Sequence, residues 1–297
     1  MSNSLPFGRL IPAMVTPFDE NLELDLSRAR ELANRLIDGG ADSLLINATT
    51  GEAPTIFYPQ KLELFKAVIN EVAGRVPVIA YTGDNCTADS VDFAQKVEKL
   101  GVDGMLLVVP YYNKPPQEGM YQHFKAIAGA VSVPCMLYNI PGRCSANMKA
   151  ETTLRVAHDC ENIIGIKEAS SDMSQIKEII DGAPSGFSVY SGDDAATLEI
   201  MKMGGVGVVS TIGNVCPARM KEIVDLAAEG DFEKAQIAND KLLPLMEGLF
   251  ATTNPILVKE ALDLLGFNVG GVRLPLVDAT VEQRETLANI MRQTGVL

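Results

Sequence analysis

The chain has 297 residues and sets 25 Lys and Arg against 38 Asp and Glu, a formal net charge of −13, with a pI near 4.7. At this length roughly 75% of the surface of the unfolded chain is buried on folding, which excludes a small disulfide-stapled scaffold. The acidic balance and the lack of any basic stripe argue against nucleic acid as a partner, because phosphate backbones are held mainly by Lys and Arg.

The five cysteines, Cys86, Cys135, Cys144, Cys160 and Cys216, form no C-x-x-C pair. Neither a disulfide framework nor a metal site is therefore expected, and a reducing, cytoplasmic setting fits. No charged N-terminal region leads into an apolar stretch, and no segment approaches about 18 uninterrupted apolar residues, so neither export nor a membrane is expected. The two histidines, His123 and His158, fall in helical patterns and read as packing or surface residues.

In chain order, strand-like apolar runs occupy 10–15, 42–46, 77–81, 104–109, 134–138, 163–167, 187–191 and 205–210. Their near-continuous hydrophobicity, as in Met105-Leu106-Leu107-Val108-Val109, is what parallel strands buried on both faces require. Between them lie amphipathic helical patterns such as 27–37, 61–73, 90–100, 119–130 and 173–180, several closed by a glycine at the C′ position (Gly39, Gly74, Gly101). Asp193-Asp194 precede a further pattern at 195–203 and read as its N-cap and first turn. After Ser210 only helical patterns remain, at 220–228, 232–249, 255–265 and 281–291. Eight βα units with no G-x-G-x-x-G after the first strand predict a (β/α)8 TIM barrel over 1–229, with a small helical C-terminal domain over 230–297.

In such a barrel the reactive groups sit where strands end and loops begin. Most of the fourteen lysines fall on helix patterns as solvated cations, but Lys167 ends a strand, turned to the opposite face from Ile166 and Glu168. Facing the barrel interior, its ammonium would be desolvated and its pKa lowered toward ~7–8, giving an amine able to attack a carbonyl. A snorkelling surface lysine accounts for the strand alone equally well. The fifth strand ends in Tyr138-Asn139-Ile140-Pro141-Gly142-Arg143, which offers a phenol for proton transfer and a guanidinium shaped for a carboxylate. The second ends in Thr49-Thr50-Gly51-Glu52, which suits either an anion or an ordinary helix cap. The fourth ends in Pro110-Tyr111-Tyr112-Asn113-Lys114-Pro115, a stiff loop holding two tyrosines for the site or for another subunit.

Together these groups describe aldolase chemistry on a 2-oxo acid, and at these motifs the sequence resembles the dihydrodipicolinate synthase and N-acetylneuraminate lyase superfamily of class I pyruvate-dependent aldolases. Gly165-Ile166-Lys167-Glu168-Ala169-Ser170 and Ser191-Gly192-Asp193-Asp194 extend the match. The Tyr111-Tyr112 loop and Arg143 narrow it to the synthase branch, and it runs from about Arg9 beyond Asn254-Pro255-Ile256.

The resemblance implies that Lys167 forms an imine with pyruvate, whose enamine attacks L-aspartate 4-semialdehyde, without a metal or redox cofactor. It implies a proton relay of Tyr138, Thr49 and Tyr112, the last supplied by a neighbouring subunit. Thr50 and the backbone near Val209 are assigned to pyruvate, Arg143 to the carboxylate of the aldehyde, and Gly192 to close approach beside the substrate. A homotetramer built as a dimer of dimers is implied, and a shared Tyr112 requires at least a dimer. Relatives regulated by lysine bind it near positions held here by Ala53, Tyr58, Lys61, Asn85, Asp89 and Tyr111; Lys61 would repel the side-chain charge of lysine, so weak or absent inhibition is expected. Arg143 is followed by Cys144-Ser145 where Thr-Gly or Thr-Ala is usual. Two other readings remain: a sister lyase acting on a sugar acid or 4-hydroxy-2-oxoglutarate, and a catalytically silent ligand-binding relative.

Overall fold

The structure, a computed structural model, describes residues 5–297. Its first part alternates strands and helices: β1 (Leu10–Pro12), α1 (Leu26–Asp38), β2 (Leu44–Ile46), α2 (Tyr58–Val72), β3 (Val78–Tyr81), α3 (Thr87–Glu98), β4 (Gly104–Val108) and α4 (Gln117–Ala128). There follow β5 (Cys135–Asn139), the single turn α5 (Pro141–Cys144), α6 (Ala150–Asp159), β6 (Ile163–Glu168), α7 (Met173–Gly182), β7 (Ser188–Ser191), α8 (Thr197–Lys202), β8 (Gly207–Ser210) and α9 (Pro217–Ala228). Helices α10 (Phe232–Gly248), α11 (Ile256–Leu264) and α12 (Val281–Gln293) complete the chain.

All eight strands are parallel, in the order β1-β8-β7-β6-β5-β4-β3-β2. The two ends of that order join through a parallel bridge between Ala13 and Leu45, so the sheet closes into a barrel. Regular pairing of β1 stops after Pro12, sooner than its apolar run, because the chain changes partner there: the Ala13 N–H donates to Ser210 on β8 and the Met14 N–H to Leu45 on β2.

Helix α1 shows why the βα rhythm was readable. Ala29, Leu32, Ala33 and Leu36 form its buried stripe, and the Asp25 side chain caps it by accepting from the Arg28 N–H, satisfying one of the free donors of the first turn. Gly74 and Gly101 take the left-handed φ expected of them, 75° and 82°. Gly39 does not; it lies at −79°, and Gly40 makes the left-handed turn instead. Leu242, Leu245, Leu257, Leu287 and Met291 of the C-terminal helices belong to the same buried apolar cluster as the barrel strands. Among the described residues no helix is long and apolar enough to cross a membrane, and no three His, Cys, Asp or Glu side chains converge as a metal-holding group.

Candidate active site

The register of the barrel assembles the core of the site. Tyr138 on β5 is the direct partner of Lys167 on β6, so both side chains share one face of adjacent strands. The Lys167 Nζ stands 4.3 Å from the centre of the Tyr138 ring, and the residue is 6% exposed. Its neighbour Glu168 turns the other way, accepting from Asn139 Nδ2 at 3.1 Å and from the Ser170 N–H at 2.9 Å.

Burial pushes the Lys167 ammonium down to about 8; the Asp194 carboxylate opposes that shift and the Arg143 guanidinium adds to it. Tyr138 moves the other way, up to about 12, through burial, with Thr49 and Arg143 partly offsetting the rise. The pair therefore offers, near neutral pH, an amine with an accessible neutral form beside a phenol that keeps its proton.

Gly192, just past β7, fits because it has no side chain: a Cβ there would lie 3.1 Å from Lys167 Cε and 2.7 Å from Ala169 Cβ. The expected capping role of Asp193-Asp194 needs correction. Helix α8 begins at Thr197, its N-cap position is Ala196, and no side chain caps it. Asp194 instead turns inward, 2% exposed. It accepts from Ser210 Oγ at 2.6 Å and from the N–H groups of Thr211 and Ile212 at 2.9 and 2.8 Å. Three donors from the end of β8 outweigh one local capping bond, and burial raises this carboxyl to about 6.

The turn after β2 is gripped from two sides. Thr16 Oγ1 donates to the Gly51 carbonyl at 2.6 Å, while Asn254 Nδ2 donates to Thr50 Oγ1 at 2.9 Å. Thr50 is buried, and the Thr49 side chain lies beside the Tyr138 phenol. The helix-cap alternative for this turn fails, since the single 3-10 turn that follows has Glu52 at its head in a left-handed conformation (φ 57°) with no side-chain cap. Val209 lies within β8 opposite Ile11 and is buried.

A cavity of 380 Å³ has Thr49, Arg143, Cys144, Tyr111, Asp84 and Lys61 in its wall. Lys167, Tyr138, Thr50, Gly192 and Val209 lie outside its lining; Tyr138 adjoins it through Thr49. Arg143 is exposed at the mouth on α5. Cys144 is buried, and burial raises its thiol to about 11, which keeps it unreactive at neutral pH. Tyr112 is not brought to the others: it is 88% exposed and has a left-handed φ of 72°. Lys61 lies 5.9 and 5.8 Å from the ring centres of Tyr58 and Phe93.

Three groups are not legible as such in the local sequence. Asp194 has the local pattern of a helix cap. Asn254 has no local pattern that ties it to Thr50. The third is the buried ion pair of Glu52 with Lys259, 2.7 Å apart at 1% and 3% side-chain exposure, whose lysine lies on a helix pattern like the solvated ones. A cue existed: Lys259 falls three residues after Ile256 and three before Leu262, on the face that α11 buries.

The chain matches the dihydrodipicolinate synthetase family over residues 6–294. It is 51% identical over 291 residues to a 4-hydroxy-tetrahydrodipicolinate synthase of Symbiobacterium thermophilum, covering 98% of this chain and 99% of that protein. Two solved structures superpose closely. One is a dihydrodipicolinate synthase from Cyanidioschyzon merolae with lysine bound (TM-score 0.96, 42% identity, 98% and 99% of the two chains). The other is a chloride-inhibited dihydrodipicolinate synthase from Acinetobacter baumannii complexed with pyruvate (TM-score 0.95, 38% identity, 98% and 100%). With a barrel of the same shape and sequence identity along almost its whole length, this chain belongs to the dihydrodipicolinate synthetase family.

Proposed function

We propose that the chain catalyses the 4-hydroxy-tetrahydrodipicolinate synthase reaction of lysine and diaminopimelate biosynthesis, a lyase activity that condenses pyruvate with L-aspartate 4-semialdehyde. The observation that carries the residue assignment is the buried Lys167 amine, lowered to about 8 and set 4.3 Å from the ring of a protonated phenol. The neutral amine adds to C2 of pyruvate, and loss of water gives an iminium ion. Removal of a C3 proton then leaves an enamine, and its C3 bonds to the aldehyde carbon, whose oxygen takes up a proton. The α-amine of the second substrate closes on C2 and expels the Lys167 amine, so the enzyme is regenerated with no net oxidation or reduction and without any cofactor beyond the imine.

Tyr138 supplies and recovers protons in these steps with Thr49 beside it, a role supported by its raised pKa of about 12, which keeps the phenol a donor. The Thr50 hydroxyl and the backbone near Val209 hold the pyruvate carboxylate, and Gly192 gives the substrate room. Arg143 at the cavity mouth receives the carboxylate of the aldehyde. Tyr112 enters the relay of a neighbouring subunit in an assembly of at least two chains and, by family resemblance, four; its exposure and strained backbone support a role met only on association. Five unpaired cysteines support a reducing, cytoplasmic setting.

Borohydride reduction in the presence of pyruvate, followed by mass mapping, tests this reading. A pyruvyl adduct on Lys167, lost in Lys167→Ala, is expected, together with condensation of the semialdehyde. No adduct refutes imine catalysis. An adduct with cleavage of sugar acids or 4-hydroxy-2-oxoglutarate, and no condensation, moves the chain to a sister lyase.

A further inference from the structure

The turn that carries Thr49 and Thr50 is held by the C-terminal segment as well as by the barrel. Glu52 closes the turn in a left-handed conformation (φ 57°), which a side-chain-bearing residue adopts only when its surroundings impose it. Those surroundings come from far along the chain. Lys259 Nζ on α11 forms an ion pair with Glu52 Oε1 at 2.7 Å and donates a hydrogen bond to the Gly271 carbonyl at 2.6 Å. The Arg273 N–H donates to the other Glu52 oxygen at 2.9 Å. The Arg273 side chain donates to the carbonyls of Thr55 and Leu22 at 2.9 and 2.8 Å. Both cations also lie over Phe18, at 4.1 and 4.5 Å from its ring centre.

The opposite side of the same turn has no slack. A Cβ on Gly51 would come within 2.9 Å of Asn47 Cα and 3.1 Å of the Met14 carbonyl oxygen, and Thr16 pins the Gly51 carbonyl. The turn can therefore move only outward, toward α11 and the segment after it.

We propose that the C-terminal helical segment is a clamp whose positioning residues, Lys259 through the Glu52 carboxylate and Arg273 through its side-chain bond to the Thr55 carbonyl, hold the Thr49-Thr50-Gly51 turn in the shape that receives the pyruvate carboxylate. This rests on the assignment of that turn to pyruvate made above. A buried ion pair adds little net stability over a well-packed apolar pair. Its directional value lies in fixing one geometry, here that of a turn whose hydroxyl and N–H groups must meet both oxygens of a carboxylate.

The test uses the full chain with the double variant Glu52→Gln, Lys259→Met, which removes both charges at similar volume, and the separate variant Arg273→Met, which keeps the Arg273 N–H contact and so serves if the double variant does not fold. Pyruvate half-saturation and maximal rate of borohydride trapping are measured, with amide hydrogen exchange over 49–52. The expected result is a rise in half-saturation on the order of tenfold in the double variant and a smaller rise in Arg273→Met. The maximal trapping rate and its pH dependence stay within about twofold of the unmodified protein, and exchange over 49–52 becomes faster. Unchanged half-saturation in folded variants overturns the clamp and leaves the lyase assignment standing. Failure of the unmodified protein to trap pyruvate overturns both.

Discussion

The pH dependence expected of the proposed imine formation follows from the surroundings of Lys167. With a pKa of about 8, about one amine in eleven is neutral at pH 7; at the usual lysine value it is about one in three thousand, a gain of roughly 300-fold in nucleophile. The initial rate of borohydride-trapped pyruvate should therefore rise tenfold per pH unit on the acid side and level off near pH 8. Three groups face the ammonium: the Tyr138 ring, Asp194, which raises its pKa, and Arg143, which lowers it. Asp194→Asn removes the anion, so the break should move to lower pH. Arg143→Ala removes the cation, so the break should move to higher pH. Asp194 itself titrates near 6, so the comparison holds above that value. Asn cannot satisfy all three donors that Asp194 now accepts, and a stability loss of about 1–3 kcal/mol is expected in that variant. Such a loss does not by itself move the break, which separates charge from structure. The reasoning fails if the break lies near 10 in the unmodified protein, or if both variants shift it in the same direction.

Two further outcomes are expected. His123 is buried against Phe124, with Nδ1 2.9 Å from Thr87 Oγ1; desolvation lowers its pKa to about 4, opposed by Asp84. The folded state then binds fewer protons than the unfolded state between about 6.5 and 4, so stability is intact above this window and is lost as pH falls through it, by an amount on the order of 3 kcal/mol. Urea midpoints at pH 7 and 4.5 should differ less in His123→Phe than in the unmodified chain; an equal difference counts against the assignment. L-lysine at millimolar concentration should leave condensation within about twofold of its uninhibited rate, because the Lys61 ammonium shares the cavity wall with Asp84 and Tyr111 and repels a second cation. Strong inhibition in a titration would refute this.

The barrel was legible because burial on both faces leaves its mark in every strand: eight continuous apolar runs, each followed by a helix pattern, permit few architectures. Asp193-Asp194 shows where local reading stops. By sequence, two acids before a helix are a cap; in the fold, Asp194 meets Ser210, Thr211 and Ile212, and those donors come from a strand that the local pattern does not connect to it. Tyr112 is settled at neither level: its ring is exposed in the single chain, and the relay role proposed for it requires a second molecule.

From its sequence alone, the strand positions of this protein's candidate groups were determined: a lysine at the sixth strand end, a tyrosine at the fifth, a threonine turn at the second. Period-two alternation and strand termini depend on neighbouring residues, so they can be read locally. Only the tertiary structure decided the distances and the charges. The pairing of Tyr138 with Lys167, the inward turn of Asp194 and the grip of Lys259 on Glu52 across more than two hundred residues arise from barrel closure and from the packing of the last helices onto it. Desolvation, which lowers the Lys167 ammonium and keeps the Tyr138 phenol protonated, is a property of that packing and of no single segment.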